Sequence, residues 1–228
     1  MTITKRTTKG SSLTYLEMDG NLTHMEGLEQ RLDRIDNSDA SPKVFTLGKK
    51  TAGFRKGEVI EVLSSLCNGS TVPAESGDYT WPNVTTWQAL TETDADVTGS
   101  SIAYTPPTGT AKVIYEFSFQ HAASNAANMG HYKFHIDGTE VVDARYSLGT
   151  NVWDYGRKVV FRWVIDCAAS ADNTDQGAFT SWTSAKTLKV VAREYSSGYQ
   201  VVLHFAKWWN GVESNTFHRP SLTITAIA

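Results

Sequence analysis

From Gly57 to the end of the chain the sequence runs as short strand-like segments separated by turn residues, with no helical stretch between them. That grammar leaves few folds open. The segments are Glu58–Leu66, Thr86–Leu90, Ile102–Tyr104, Lys112–Gln120, His131–Ile136, Thr139–Tyr146, Lys158–Asp166, Thr187–Tyr195, Tyr199–Phe205 and Ser221–Ile227. They are rich in Val, Ile, Thr and aromatic residues, which fit a pleated, half-buried surface. Asp137-Gly138 between HYKFHI and TEVVDARY is the type I′ hairpin signal, and Ser196-Ser197-Gly198 predicts a second hairpin between KVVAREY and YQVVLHF. Strands in this number without crossover helices predict an antiparallel β-sandwich, with a jelly roll as the best single topology. No repeat period is visible, which disfavours a solenoid or propeller.

The sequence before Gly57 reads differently. Thr14-Tyr15-Leu16-Glu17 is a capping box, with Leu13 and Met18 as its hydrophobic staple. Met18, Met25 and Leu32 then fall at heptad position a, and Asn21, Leu28 and Ile35 at d. This predicts an amphipathic helix within residues 11–37. The stripe packs either against the chain's own β domain or against copies of itself; the narrow a/d seam supports self-association, which makes Met18, Met25, Leu28, Leu32 and Ile35 the expected oligomerisation residues, in a homotrimer. Gly20 and Gly27 each weaken the helix by roughly 1 kcal/mol relative to Ala, so it needs the support of a larger assembly. The expected organisation is residues 1–37 as basic tail and helix, 38–56 as a basic connector beginning at the breakers Asn37–Pro42, and 57–228 as a β-sandwich head. Between Gly57 and Ala111 the chain carries seven acids and no base, an asymmetry suited to steering partners or to lying solvated on the surface.

The chemistry-bearing motifs are sparse. No GxSxG, HExxH, GxxxxGKS, GxGxxG or CxxC occurs, so no catalytic residue, metal or cofactor is expected. His131 and His135 share a strand face, but Asp137 beside them is needed by its turn, and a structural role is expected for the pair. Asp94 and Asp96 also share a face, with nothing to assign them to glycoside hydrolysis. Cys67 and Cys167 lie on apolar segments and read as buried free thiols, with a single long-range bridge as the alternative that spacing does not decide. A net charge of −3 leaves no footprint for nucleic acid, and no apolar run is long enough for membrane insertion. The lead-in Met1–Lys9 lacks the apolar core of a secretory signal. Aromatics near turn signals remain. The clusters Trp153 with Tyr155 and Trp208 with Trp209 are the candidate receptor contacts, because loop rings supply rigid area for sugar stacking.

Met1–Asn21, with Thr2–Lys9, Gly10, Leu13-Thr14, Glu17, Asp19 and Asn21, resembles the start of tail-fibre-like and other virion structural proteins of bacteriophages, especially marine phages of cyanobacteria. Gly57–Gly69 and Ile102–Phe119 resemble the β domain that follows in such proteins. The resemblance implies a virion location, with attachment to other virion proteins through the N-terminal segment, where Lys5, Arg6, Lys9, Glu17 and Asp19 lie. It also implies a β head that projects outward, usually in a homotrimer; host surface glycan is a candidate partner for that head. Long tail fibres have extended shafts, and none is present, so a non-enzymatic short fibre, spike or knob fits better. The alternatives are a capsid decoration protein without a receptor role and a glycan depolymerase.

Overall fold

The computed structural model describes residues 54–123, 127–150, 156–207 and 215–228. The N-terminal helix, Lys5, Arg6, Lys9, Glu17 and Asp19, the seam residues Met18, Met25, Leu28, Leu32 and Ile35, and Trp153, Tyr155, Trp208 and Trp209 all lie outside the described residues. Every regular element described is a strand: β1 (Val59–Leu66), β2 (Thr71–Ala74), β3 (Gly77–Thr80), β4 (Gln88–Ala89), β5 (Ala95–Asp96), β6 (Ile102–Tyr104), β7 (Lys112–Ala123), β8 (Asn128–Ile136), β9 (Thr139–Thr150), β10 (Arg157–Asp166), β11 (Lys186–Glu194), β12 (Val201–Leu203), β13 (Phe205–Lys207), β14 (Asn215–Phe217) and β15 (Ser221–Ile227). Among these residues no helix is long and apolar enough to cross a membrane.

The strands form two antiparallel sheets. The first runs β1-β15-β7-β10, with β12 and then β4 continuing beside the last residues of β7. The second runs β11-β8-β9, with β5 and β6 sharing the other edge of β11. Leaving aside the short β2, β3, β4, β12, β13 and β14 and counting β5 and β6 as one strand, the first sheet holds the first, eighth, third and sixth of the remaining strands, and the second holds the second, seventh, fourth and fifth. This order is that of a jelly-roll-like sandwich.

Period-two patterning drives the packing. Val113, Tyr115, Phe117 and Phe119 on β7 are buried, while Ile114, Glu116, Ser118 and Gln120 between them are not. Tyr132, Phe134 and Ile136 on β8 alternate in the same way with His131, Lys133 and His135. The inner faces meet ring to ring: Tyr115–Phe134 at 4.8 Å, Phe119–Tyr132 at 5.6 Å and Phe134–Phe161 at 6.0 Å between centroids. Each such buried ring contributes roughly 2–3 kcal/mol. Two polar groups among these rings bond to the backbone. The Tyr115 hydroxyl donates to Ser100 O at 2.6 Å, and Trp81 Nε1–H to Leu222 O at 3.0 Å.

Asp137 (φ 51°) and Gly138 (φ 80°) make the expected type I′ turn between β8 and β9. The second hairpin is not formed. Tyr199 N–H bonds Ser196 O at 2.8 Å, so the chain turns there. Yet β11 pairs β8 on one edge and β5 and β6 on the other, while β12 pairs β7 and β4 in the other sheet. Tertiary pairing occupies both edges of β11 and overrides the local turn signal. The predicted strand Tyr199–Phe205 is likewise broken. His204, at φ 60°, bends the chain between β12 and β13. The hairpin β2–β3, the two-residue β5 and β14 were not predicted. They are short and polar, and β2 contains Pro73.

Candidate functional site

A cleft of about 210 Å³ lies between β9 and β10, lined by Asp143, Ala144, Arg145, Tyr146, Val160, Phe161, Arg162 and Trp163. Topology creates it. β9 ends the second sheet and β10 ends the first, so two terminal strands face each other across an open side of the sandwich. A bulge widens it. Tyr132 pairs Tyr146, but Phe134 pairs Val141, so residues 142–145 of β9 stand against Lys133 alone. A bulge bends its strand and re-aims the side chains on it. Three of those bulged residues, Asp143, Ala144 and Arg145, line the cleft. Asp143 N–H bonds Asp175 O at 3.0 Å and fixes the bulge to the loop after β10.

Two rings bound the recess. Tyr146 is 43% exposed and packs behind on Tyr132, with centroids 6.2 Å apart. Trp163 points inward on β10 but is only partly covered because the sandwich is open on this side. Its Nε1–H donates to Gln176 O at 3.1 Å. Gly177, at φ 69°, passes so close that a Cβ there would lie 3.2 Å from Trp163 Nε1. The indole is therefore held in one orientation. Two arginines border it, Arg145 on the bulge and Arg162 on β10, whose side chain alternates with that of Trp163 and stands on the outer face of the first sheet. Arg145 Nε–H donates to Glu140 Oε1 at 2.6 Å, which holds the Glu140 carboxyl below its ordinary range. Arg162 Nε lies 3.8 Å from Glu116 Oε2, too long for a hydrogen bond. Neither Glu140 nor Glu116 lines the cleft.

Several other charged groups find partners within the chain. His131 and His135 do share the outer face of the second sheet, opposite Arg193 and Lys189 in register. Asp137 is held by its turn, its Oδ1 accepting from Thr187 N–H at 2.7 Å. Among the described residues no group of three potential metal ligands is assembled. Asp94 pairs with Lys133 at 2.5 Å and Asp96 with Lys189 at 2.8 Å. Part of the acidic excess before Ala111 is thus neutralised by the later strands. Glu61 is buried and accepts from Ser76 Oγ–H at 2.7 Å, Ser76 N–H at 3.0 Å and the Tyr104 hydroxyl at 2.9 Å. It clasps the β2–β3 hairpin to β1 and β6. Cys67 and Cys167 are free and buried, and burial pushes both thiols up to about 12.

The predicted receptor residues lie outside the described residues, but their flanks do not. Residues 151–155 join β9 to β10, the two strands that line the cleft. Residues 208–214 join β13 to β14. The roots of the two connections meet, since a Cβ on Gly156 would lie 3.0 Å from Phe205 O. Trp87, 43% exposed, packs edge-on against Phe205 at 6.3 Å. Sequence reasoning missed Arg145, Tyr146, Arg162 and Trp163. The signal was a Trp flanked by charge inside a strand, in Arg162-Trp163-Val164.

No family model matches the chain, and no curated protein matches it. Among solved structures it is similar to the CBM36-1 domain of a multidomain xylanase from the hindgut metagenome of Trinervitermes trinervoides, at 10% identity and a TM-score of 0.29, covering 74% of this chain and 98% of that one. It is also similar to the Podospora anserina GH26-CBM35 beta-(1,4)-mannanase, at 10% identity and a TM-score of 0.27, covering 76% of this chain and 28% of the mannanase. A third similarity is to VP2 of the infectious bursal disease virus subviral particle, at 14% identity and a TM-score of 0.27, covering 70% of this chain and 38% of VP2. The functional reading rests on the geometry of the chain itself.

Proposed function

We propose that this chain is a non-enzymatic bacteriophage virion protein, a short fibre, spike or knob. Residues 1–37 attach it to the particle and assemble it as a homotrimer, and the β-sandwich binds glycan on the host surface. The observation that carries the binding role is the β9–β10 cleft. It combines exposed Tyr146 and an indole fixed by Gln176 and Gly177 with the charged residues Asp143 and Arg145 of the β9 bulge. Rings that stack on C–H faces and charged groups that bind hydroxyls are what a sugar requires of a protein surface. The phage assignment draws on the resemblance of Met1–Asn21 to virion proteins.

The test is competition. Purified full chain should block adsorption of its phage, and antibody to the head should label intact particles. The Tyr146→Ala chain, folded by circular dichroism, should compete at least ~10-fold less well, since an aromatic anchor in a binding site contributes about 1.4 kcal/mol or more. Equal competition by Tyr146→Ala, or unlabelled particles, refutes the reading. One observation favours decoration instead. Val62 and Leu66 on β1 and Val160 and Val164 on β10, each at least 43% exposed, lie on the outer face of the first sheet at its two ends, with β15 and β7 between them. A decoration protein would spread labelling over the capsid and leave adsorption untouched.

A further inference from the structure

We infer that β10 is a strand-addition site, and that its occupant is an extended, acidic segment of another polypeptide chain; this goes beyond the glycan reading, because it concerns backbone groups of β10 rather than the rings of the cleft. β10 pairs with β7 alone. Bonds at its end fix which of its backbone groups β7 takes. Cys167 N–H reaches Ala111 O, on the side of β7, at 2.8 Å. On the other side, Asp166 N–H donates to Gly177 O at 3.2 Å and Asp166 O accepts from Phe179 N–H at 2.8 Å. In an antiparallel ladder the N–H and C=O of one residue point the same way, and successive residues alternate. Lys158, Val160, Arg162 and Val164 therefore turn their backbone groups away from β7. Among the described residues these N–H and C=O groups have no hydrogen-bond partner. They form a row about 20 Å long.

The terminal strands β1 and β9 are blunted, as exposed sheet edges normally are. β1 has a bulge between Val59 and Glu61, and Glu61 ties the β2–β3 hairpin to it. β9 has the bulge over residues 142–145 and gives Asp143 N–H to Asp175 O. β10 instead keeps an unbroken register from Arg157 to Asp166. Val160 and Val164 on it are 49% and 43% exposed, and a recess of about 380 Å³ opens at Arg162, Trp163 and Val164. A regular, exposed edge is a template for a further strand. The side chains along the row choose which strand. Lys158, Val160, Arg162 and Val164 share the outer face, cation alternating with valine. Across β7, Lys158 stands opposite neutral Gln120, and Arg162 Nε is 3.8 Å from Glu116 Oε2. Acidic side chains on an incoming strand would stand opposite both cations, where unlike charges stabilise a cross-strand pair and like charges oppose it. A second β10 brings the same two cations, so an acidic partner fits this edge better than a second copy of the chain. The occupant alternates acidic and β-branched residues along one face.

The experiment titrates the full chain with two fluorescein-labelled, acetylated peptides. One alternates Glu and Val with Thr between them, and the other has Lys in place of Glu. The Glu peptide should bind at least ~10-fold more tightly at low salt, and the gap should narrow as NaCl rises from about 50 to 500 mM. In residue-resolved hydrogen exchange the N–H groups of Lys158, Val160, Arg162 and Val164 should gain protection on binding. Val160→Pro deletes an edge N–H and spares the ladder with β7, and it should weaken the Glu peptide at least ~10-fold. Lys158→Glu keeps every backbone group, and it should shift the preference towards the Lys peptide whether or not the proline variant folds. No binding of the Glu peptide at millimolar concentration, equal binding of the two peptides, or binding unchanged by both substitutions overturns the inference. Protection of the same N–H groups in the chain alone as its concentration rises assigns the edge to a second copy and overturns it too. Each of these results leaves the glycan reading untouched.

Discussion

Lowering the pH should destabilise the sandwich through His204, and substituting that residue should remove the effect. His204 is fully buried at φ 60°, with its ring edge-on to Phe117 and Phe119, each 6.3 Å away. Nε2–H donates to Thr98 O at 2.9 Å, while Nδ1 is buried without a hydrogen-bond partner. Protonating Nδ1 would place a charge among aromatic rings, and burial pushes the imidazole down to about 4 from its ordinary 6.5. The unfolded chain therefore takes up the proton first as the pH falls. The stabilisation is fully present above about pH 6.5 and is lost progressively as the pH falls towards 4. At ~1.4 kcal/mol per pKa unit the loss is about 3 kcal/mol. Urea unfolding at several values between pH 8 and 4 measures it. His204→Phe keeps a ring of similar size but cannot titrate. It should be less stable at neutral pH, having lost the bond to Thr98, yet lose about 3 kcal/mol less than the wild type on acidification. Parallel curves for the two proteins would show that His204 is not the titrating group.

Three further outcomes follow from single contacts. Gly99→Ala should lower stability by roughly 2–4 kcal/mol in urea unfolding, because Gly99 has φ 90° and a Cβ there would lie 2.7 Å from Val84 Cγ2 and 3.1 Å from Pro220 Cγ. Tyr104→Phe removes one donor from buried Glu61 and should cost about 1.5–3 kcal/mol by the same measurement. Cys67 and Cys167, held protonated by burial, should react with a thiol reagent at pH 8 only as fast as the chain opens, and rapidly in denaturant.

The fold was legible where local pattern and global packing agree. Period-two burial along Lys112–Gln120 and His131–Ile136, and the Asp137-Gly138 turn, are written in residue types that act over a few positions. Ile102–Tyr104 and Ser221–Ile227 match their predicted bounds. Which strands pair across long separations is not written that way. Ser196–Tyr199 turns the chain as its residues require, but sheet pairing then sends β11 and β12 to different layers. His204 interrupts an apolar run whose residues all favour a strand, and no neighbour in sequence announces the bend. The buried Glu61 could not be singled out either, since its partners Ser76 and Tyr104 lie on β-elements brought together only by folding.

The cleft was illegible for a related reason. A Trp and a Tyr in mid-strand read as core, and in a central strand of this sandwich they would be core. Trp163 does point inward, and its partial exposure comes from the position of β10 at the end of its sheet, opposite β9 at the end of the other. Edge position is a property of the whole topology, and the bulge over residues 142–145 depends on a register set by β8. The sequence reading instead favoured aromatics next to turns, and so reached Trp153 and Tyr155. Those two residues lie on the connection between the strands that line the cleft.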